Sequence, residues 1–260
     1  MSLLAIVYQL VPEAPILIAH NRDELYERIC PSPAIQSGKP RILAGIDPAS
    51  NGTYLGVNQY GMFVGLVRRN MPEPPSNPKS RGALCRKILK NTSANSALDA
   101  CMDELQNGKY CGGNFVIADS DNAWVIHHTT DSEVITMDRG LRIVGEFDVD
   151  DPTDERANMA RRLLTLQTLD SPVKFLAVAS KVFARPPSSP GRPSMVMRNG
   201  LYGTVSSTLI SLGKKPRDAI YQHCNGAPDR AKFEDYSPLL RDILSRGLRE
   251  ARSRATSASR

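Results

Sequence analysis

No Cys-x-x-Cys pair occurs among the five cysteines Cys30, Cys85, Cys101, Cys111 and Cys224. Their odd number and scattered spacing exclude a disulfide framework and argue against a zinc site, so reduced thiols in a cytoplasmic protein are expected. No apolar run approaches the ~20 residues a membrane helix needs. Leu3 to Leu10 lacks a basic leader and reaches Pro12-Glu13-Ala14-Pro15 without a cleavage pattern, and it reads as mature sequence. Aromatic residues make up only 6% of the chain, and none is interleaved with basic residues in the manner of single-strand nucleic-acid binders. There is no internal repeat.

Charge of one sign is also scarce once its position is considered. The formal net charge is +6, but residues 246–260 hold five arginines against one glutamate, which leaves +2 for the preceding 245 residues. A nearly neutral body with a basic tail predicts neither a nucleic-acid nor a membrane partner. Residues 1–251 are expected to form one domain, because 260 residues and 41% hydrophobic content suit a single core. Residues 252–260, rich in Ser, Arg and Ala, are expected to be a disordered tail.

What is present reads as α+β. Leu3–Tyr8 and Ile16–Ala19 are nearly continuous apolar runs around a proline-rich turn, the pattern of strands buried on both faces, and predict a central hairpin. Strands are expected over 41–44, 52–58 and 61–67, the last two joined by the Asn58-Gln59-Tyr60-Gly61 turn. Helices follow over 82–91 and 95–106. The strands of 114–118, 123–128, 133–136 and 141–144 read as one meander forming a second sheet. Asp151-Pro152 and Ser171-Pro172 each put a capping side chain before a proline, predicting helices over 153–168 and 172–184. Strands over 202–211 and 219–223 precede a last helix opened by Ser237-Pro238. Blocks of strands alternating with helix pairs predict two mostly antiparallel sheets covered by helices, a four-layer αββα sandwich.

Asn21-Arg22-Asp23-Glu24 stands out because an amide, a guanidinium and two carboxylates follow directly on a buried strand. Such a cluster beside apolar surface must be paired or functional. On local sequence alone, a salt-bridged strand exit is the simpler reading.

The stretch Ala19-His20-Asn21-Arg22-Asp23-Glu24-Leu25-Tyr26, then Leu43-Ala44-Gly45, Gly52-Thr53-Tyr54-Leu55-Gly56-Val57-Asn58, Ser80-Arg81-Gly82 and Tyr202-Gly203-Thr204-Val205-Ser206-Ser207-Thr208 resembles the NRDE-motif family, also called the transport and Golgi organisation family. The resemblance runs in order down to Glu234-Asp235-Tyr236. It implies an N-terminal-nucleophile hydrolase fold, shared with bile-salt and penicillin amidases, and an amide or acyl ligand without a cofactor or metal. In such enzymes the residue after the initiator Met attacks, and its own α-amine, with a pKa near ~8, is the base.

By this resemblance Ser2 would be the nucleophile, Asp23, two residues after Asn21, would orient it, and Asn21 and Arg22 would complete the catalytic group. Arg22 or His20 would hold a carboxylate or phosphate. By charge alone, and not by the resemblance, Arg68, Arg69 and Arg81 could gather around an anionic ligand or stand as solvated surface arginines. Thr204 and Ser206 suit a solvent-facing strand edge, but the resemblance places them as donors to the substrate, and Asn114, opening a strand after Gly112-Gly113, is either a further donor or a strand-entry residue bonding to nearby backbone. The family ordinarily begins Met-Cys where this chain has Met1-Ser2. Ser2 is therefore a serine nucleophile, a natural loss of activity, or a residue foreign to the native chain. Two asparagines expected from the family are also displaced: the stretch reads Leu66-Val67-Arg68-Arg69-Asn70 in one place and Gly145-Glu146 in the other. The resemblance thus leaves two activities open: amide or thioester cleavage, or binding of an acyl-coenzyme A, lipid or haem-like ligand without turnover. His127-His128 points its rings to opposite strand faces and does not suggest a metal site. Cys111 has no neighbour in sequence that would activate it.

Overall fold

The computed structural model describes residues 2–28, 31–189 and 192–258. In chain order it contains β1 (Leu3–Val11), β2 (Ala14–Leu25), β3 (Ala34–Gln36), β4 (Ile42–Ala44), β5 (Leu55–Asn58), β6 (Phe63–Arg68), α1 (Arg81–Ile88) and α2 (Ala94–Asn107). There follow β7 (Gly113–Ala118), β8 (Ala123–His128), β9 (Ser132–Thr136), β10 (Gly140–Val144), α3 (Glu155–Leu164) and α4 (Pro172–Phe183). The chain ends with β11 (Arg198–Asn199), β12 (Tyr202–Leu212), β13 (Ile220–Asn225), β14 (Glu234–Asp235) and α5 (Ser237–Ala258).

Two antiparallel sheets stack face to face. The first runs β10-β1-β2-β12-β13-β14, with β11 on β12, and the second runs β3-β4-β5-β6-β7-β8-β9. Alternate residues of β1 and β2 serve different layers, which is why their apolar runs are unbroken. Leu4, Ile6 and Ile18 meet Leu43, Phe63 and Val116 of the second sheet, while Leu3, Ala5 and Leu17 meet Phe175, Ala179 and Phe183 of α4. On the far side, Val64, Phe115 and Ile117 pack on Leu84, Ile88 and Cys101 of α1 and α2. The layers are therefore helix, sheet, sheet, helix. Each such aliphatic side chain contributes about 1.5–3 kcal/mol of burial.

The sandwich and its central hairpin match the expectation, but the division of strands does not. The first third of the chain is shared between the sheets, and the strand of 141–144 leaves the meander to pair with β1, Leu4 opposite Val144. Periodicity reports which face of a strand is buried, not which distant strand it joins. The cap of α3 is Asp154, which accepts from Ala157 N, and Asp151 instead closes a turn with Thr153. Ser171 caps α4 as expected. α5 is helical through Ala258, where a disordered tail was expected from residue 252. Among the described residues no helix is long and apolar enough to cross a membrane. Cys85, Cys101, Cys111 and Cys224 carry free thiols. Cys30 lies outside the described residues.

Candidate active site

Asn21-Arg22-Asp23-Glu24 does not leave the sheet. β2 continues to Leu25, flanked by β1 and β12, so the polar residues stay in a ladder that satisfies their backbone groups. Period-two alternation then splits the motif. Asn21 and Asp23 face the α3 and α4 layer, while His20 and Arg22 face the second sheet. The register with β12 shifts between Thr204 and Ser206, so that Thr204 stands opposite Asp23 and Ser206 opposite Arg22.

Ser2, just before β1, lies against this point. Its Oγ accepts a hydrogen bond from the Asp23 amide at 3.2 Å. The Asp23 carboxylate is fully buried and held on both oxygens. Arg156 of α3 donates to Oδ2 at 2.7 Å, and the Thr204 hydroxyl donates to Oδ1 at 2.6 Å. The Tyr202 hydroxyl donates to the Asp23 carbonyl at 2.9 Å. Arg156 is itself fixed by a second donation, to the Met195 carbonyl at 2.7 Å. This buried carboxylate is rigidly supported by its bonds.

Ser2, Arg22, Asp23 and Tyr202 form one wall of a cleft of 410 Å³. The cleft is also lined by Arg68 at the end of β6, Tyr54, Cys111, and Ser80, Arg81 and Gly82 at the start of α1. Gly52 positions that helix start: a Cβ there would lie 2.4 Å from Ala83 N, so only glycine lets the 47–53 loop dock against it, and Thr53 N then donates to the Gly82 carbonyl at 2.9 Å. Arg22 lies over the Tyr54 ring at 4.8 Å. Burial pushes the Arg81 guanidinium below its usual range, with the Cys111 and Glu24 charges opposing and those of Arg68 and Arg28 adding.

Of the residues expected from sequence, Ser2, Asp23, Arg22, Arg68 and Arg81 meet in this cleft. The others stand behind or away from it. Asn21 turns away and donates to the Phe183 and Met195 carbonyls at 2.8 and 2.9 Å, tying β2 to the segment after α4. Thr204 supports Asp23, and the Ser206 hydroxyl lies 3.5 Å from that of Tyr54.

His20 cannot hold an anion by charge. It is fully buried, stacks on Tyr54 with ring centroids 5.7 Å apart, and is kept neutral by desolvation, its pKa pushed down to about 3. Neither ring nitrogen has a hydrogen-bonding protein partner among the described residues.

Asn114 is spent on structure. Its Nδ2 donates to the Gly145 and Phe147 carbonyls, both at 2.8 Å. Its Oδ1 accepts from His127 Nδ1 at 2.8 Å, because His127 Nε2 is taken by Val149 N. A strand-entry asparagine bonding to backbone looks the same in sequence as one aimed at a substrate.

The glycine of the Gly145-Glu146 pair has a steric cause. A Cβ on Gly145 would lie 2.2 Å from Oδ2 of Asp154, whose other oxygen caps α3. Gly145→Asn should therefore displace the cap and cost about 1 kcal/mol. A thermal unfolding midpoint equal to that of the parent would refute this account.

Sequence reasoning missed Arg156, the partner of Asp23, because 133 residues separate the two. A local hint existed: Arg156 sits in the first turn of α3, where the helix dipole disfavours a cation. Arg28 and Asp47, joined at 2.6 Å along the cleft, carried no such signal.

A family model described as Transport and Golgi organisation 2 matches residues 1–223. Among solved structures, the Caenorhabditis elegans ortholog of N-acylethanolamine-hydrolyzing acid amidase is similar at a TM-score of 0.52 and 16% identity, covering 80% of this chain and 92% of its own. A variant of the conjugated bile acid hydrolase from Clostridium perfringens is similar at a TM-score of 0.55 and 13% identity, covering 90% of this chain and 92% of its own. No curated protein matches by sequence. At these identities the structural likeness speaks to fold.

Proposed function

Since the chain belongs to the Transport and Golgi organisation 2 family and has the fold of N-terminal-nucleophile hydrolases, we propose that it is an amidohydrolase or acyltransferase acting on C–N amide or thioester bonds through Ser2. The observation that carries this reading is the bond between Ser2 Oγ and the Asp23 amide, beside a carboxylate locked by Arg156 and Thr204. With Met1 removed, the Ser2 hydroxyl attacks the carbonyl carbon and its proton passes to the Ser2 α-amine. Collapse of the tetrahedral intermediate returns that proton to the leaving nitrogen or sulfur. Water, or an acceptor in acyl transfer, then releases the acyl group from the serine ester.

A second reading keeps the cleft and drops the turnover. It is favoured by the commitment of Asn114 to the 145–147 turn and by the absence of a side chain at Gly145, since neither amide is then available to an oxyanion. On this reading the cleft carries an acyl or lipid-like ligand without cleaving it.

Intact mass spectrometry of the native protein tests the first reading. Met1 should be absent, and an acylating probe should label the parent chain but not Ser2→Ala. Retention of Met1 would end the proposal, because the base would then belong to the wrong residue. Ser2→Cys, which restores the family residue, should raise turnover of an activated amide about tenfold or more, since the thiol is the better nucleophile near neutral pH. A cysteine variant no faster than the parent would favour the carrier reading.

A further inference from the structure

The acids lining the cleft are each engaged. Asp23 is bound by Arg156, Asp47 by Arg28 at 2.6 Å, and Glu24 by Arg28 at 2.9 Å, with Arg22 3.5 Å away. Arg68 and Arg81 line the same cleft, and no carboxylate lies within 4.0 Å of either among the described residues. Each lies within range of the other's charge. Two like charges beside a partly desolvated cleft are costly without a counter-charge.

Two further features point to the same missing group. Arg22 is only 5% exposed, yet its Nη1 is buried without a protein acceptor among the described residues. The first turn of α1, capped by Ser80, lines the cleft with Ser80, Arg81 and Gly82, and a helix N-terminus carries free backbone N–H groups and the positive end of the dipole.

We propose that the cleft contains an oxyanion subsite, formed by Arg22, Arg68, Arg81 and the N-terminus of α1, which seats a carboxylate or phosphate on the substrate. This deepens the proposed function by naming the substrate class: an acyl amide or thioester bearing an anionic group in the same cleft as Ser2. Guanidinium groups suit that role because they offer paired donors to planar carboxylate or to phosphate oxygens. The subsite binds its anion whether or not Ser2 is catalytically competent.

The test is calorimetric and uses the full chain carrying Ser2→Ala, so that no turnover intervenes. Hippurate supplies a carboxylate on an amide, hippuramide is its uncharged analogue, and pyrophosphate supplies phosphate oxygens. Hippurate or pyrophosphate should bind saturably, the tighter of the two identifying the group, and hippuramide at least about tenfold more weakly than hippurate if the carboxylate is preferred. Adding Arg68→Gln, a surface change that disturbs no packing, or Arg81→Gln should weaken the preferred anion about tenfold or more. Binding of neither anion, or binding unchanged in both arginine variants, would overturn the subsite. The labelling of Ser2 is read separately, so loss of one result leaves the other standing.

Discussion

Arg156→Leu is expected to lower the midpoint of thermal unfolding by about 10 °C and to abolish any labelling of Ser2. The guanidinium is an ionic partner of a carboxylate with no solvent exposure, and removing one member of a buried pair costs about 3–5 kcal/mol because the remaining charge loses that compensation. For a chain of this size each 1 kcal/mol moves the midpoint by about 2–4 °C. Asp23→Asn should lose a similar amount, whereas the double variant Arg156→Leu/Asp23→Leu should recover much of the stability and none of the labelling. That separation identifies the pair as an orienting device. Equal midpoints for the parent and Arg156→Leu would show that Asp23 needs no such partner.

Acidification should begin to destabilise the protein well above the range in which carboxylates titrate. His20 and His223 are buried as neutral rings, with pKa values pushed down to about 3 and about 4, while in the unfolded chain both titrate near ~6.5. Desolvation is the first cause in each case, and the Asp23 charge only partly opposes it at His20. Because the folded pKa is the lower one, the stability is fully present above pH ~6.5 and is lost as pH falls toward the folded values. Each histidine adds a slope of up to about 1.4 kcal/mol per pH unit in that window, or about 2.7 for the two. Burial lowers His127 and His128 in the same direction. Thermal midpoints measured from pH 7 to pH 4 should therefore fall steeply in the parent and less steeply in His20→Phe, which keeps the ring contact with Tyr54 and removes one titration. Parallel curves would show that His20 takes up its proton without unfolding.

The layers of the fold were legible in sequence because burial leaves a pattern. Leu3–Tyr8 and Ile16–Ala19 have no polar face, and runs this short around a proline-rich turn suit strands covered on both sides. Ser171-Pro172 could be read as a helix start from the chemistry of the cap alone. The site was less legible, because its decisive contacts join residues far apart in sequence. Position after Met1 and the NRDE resemblance drew attention to Ser2 and Asp23, and Arg68 and Arg81 were candidates by charge. The partner of Arg156 and the commitments of Asn21 and Asn114 depend on which carboxylate and carbonyls the fold brings near, and beyond the misplaced cation at the start of α3 no local property encodes that. The exit of β10 into the other sheet escaped for the same reason.

The bulge opposite β2 has a further consequence for how this chain can diverge. Val205 is the extra residue of β12 that lets Thr204 face Asp23 while Ser206 faces Arg22. It therefore acts as an index mark that sets the alignment of the two strands at one place. Neighbouring positions of β2 report to opposite layers, so a single inserted or deleted residue between Asn21 and Asp23 would exchange the carboxylate and the guanidinium. Substitution can retune the cleft side by side with the orienting pair, each independently of the other, whereas a change in length at this strand abolishes both at once.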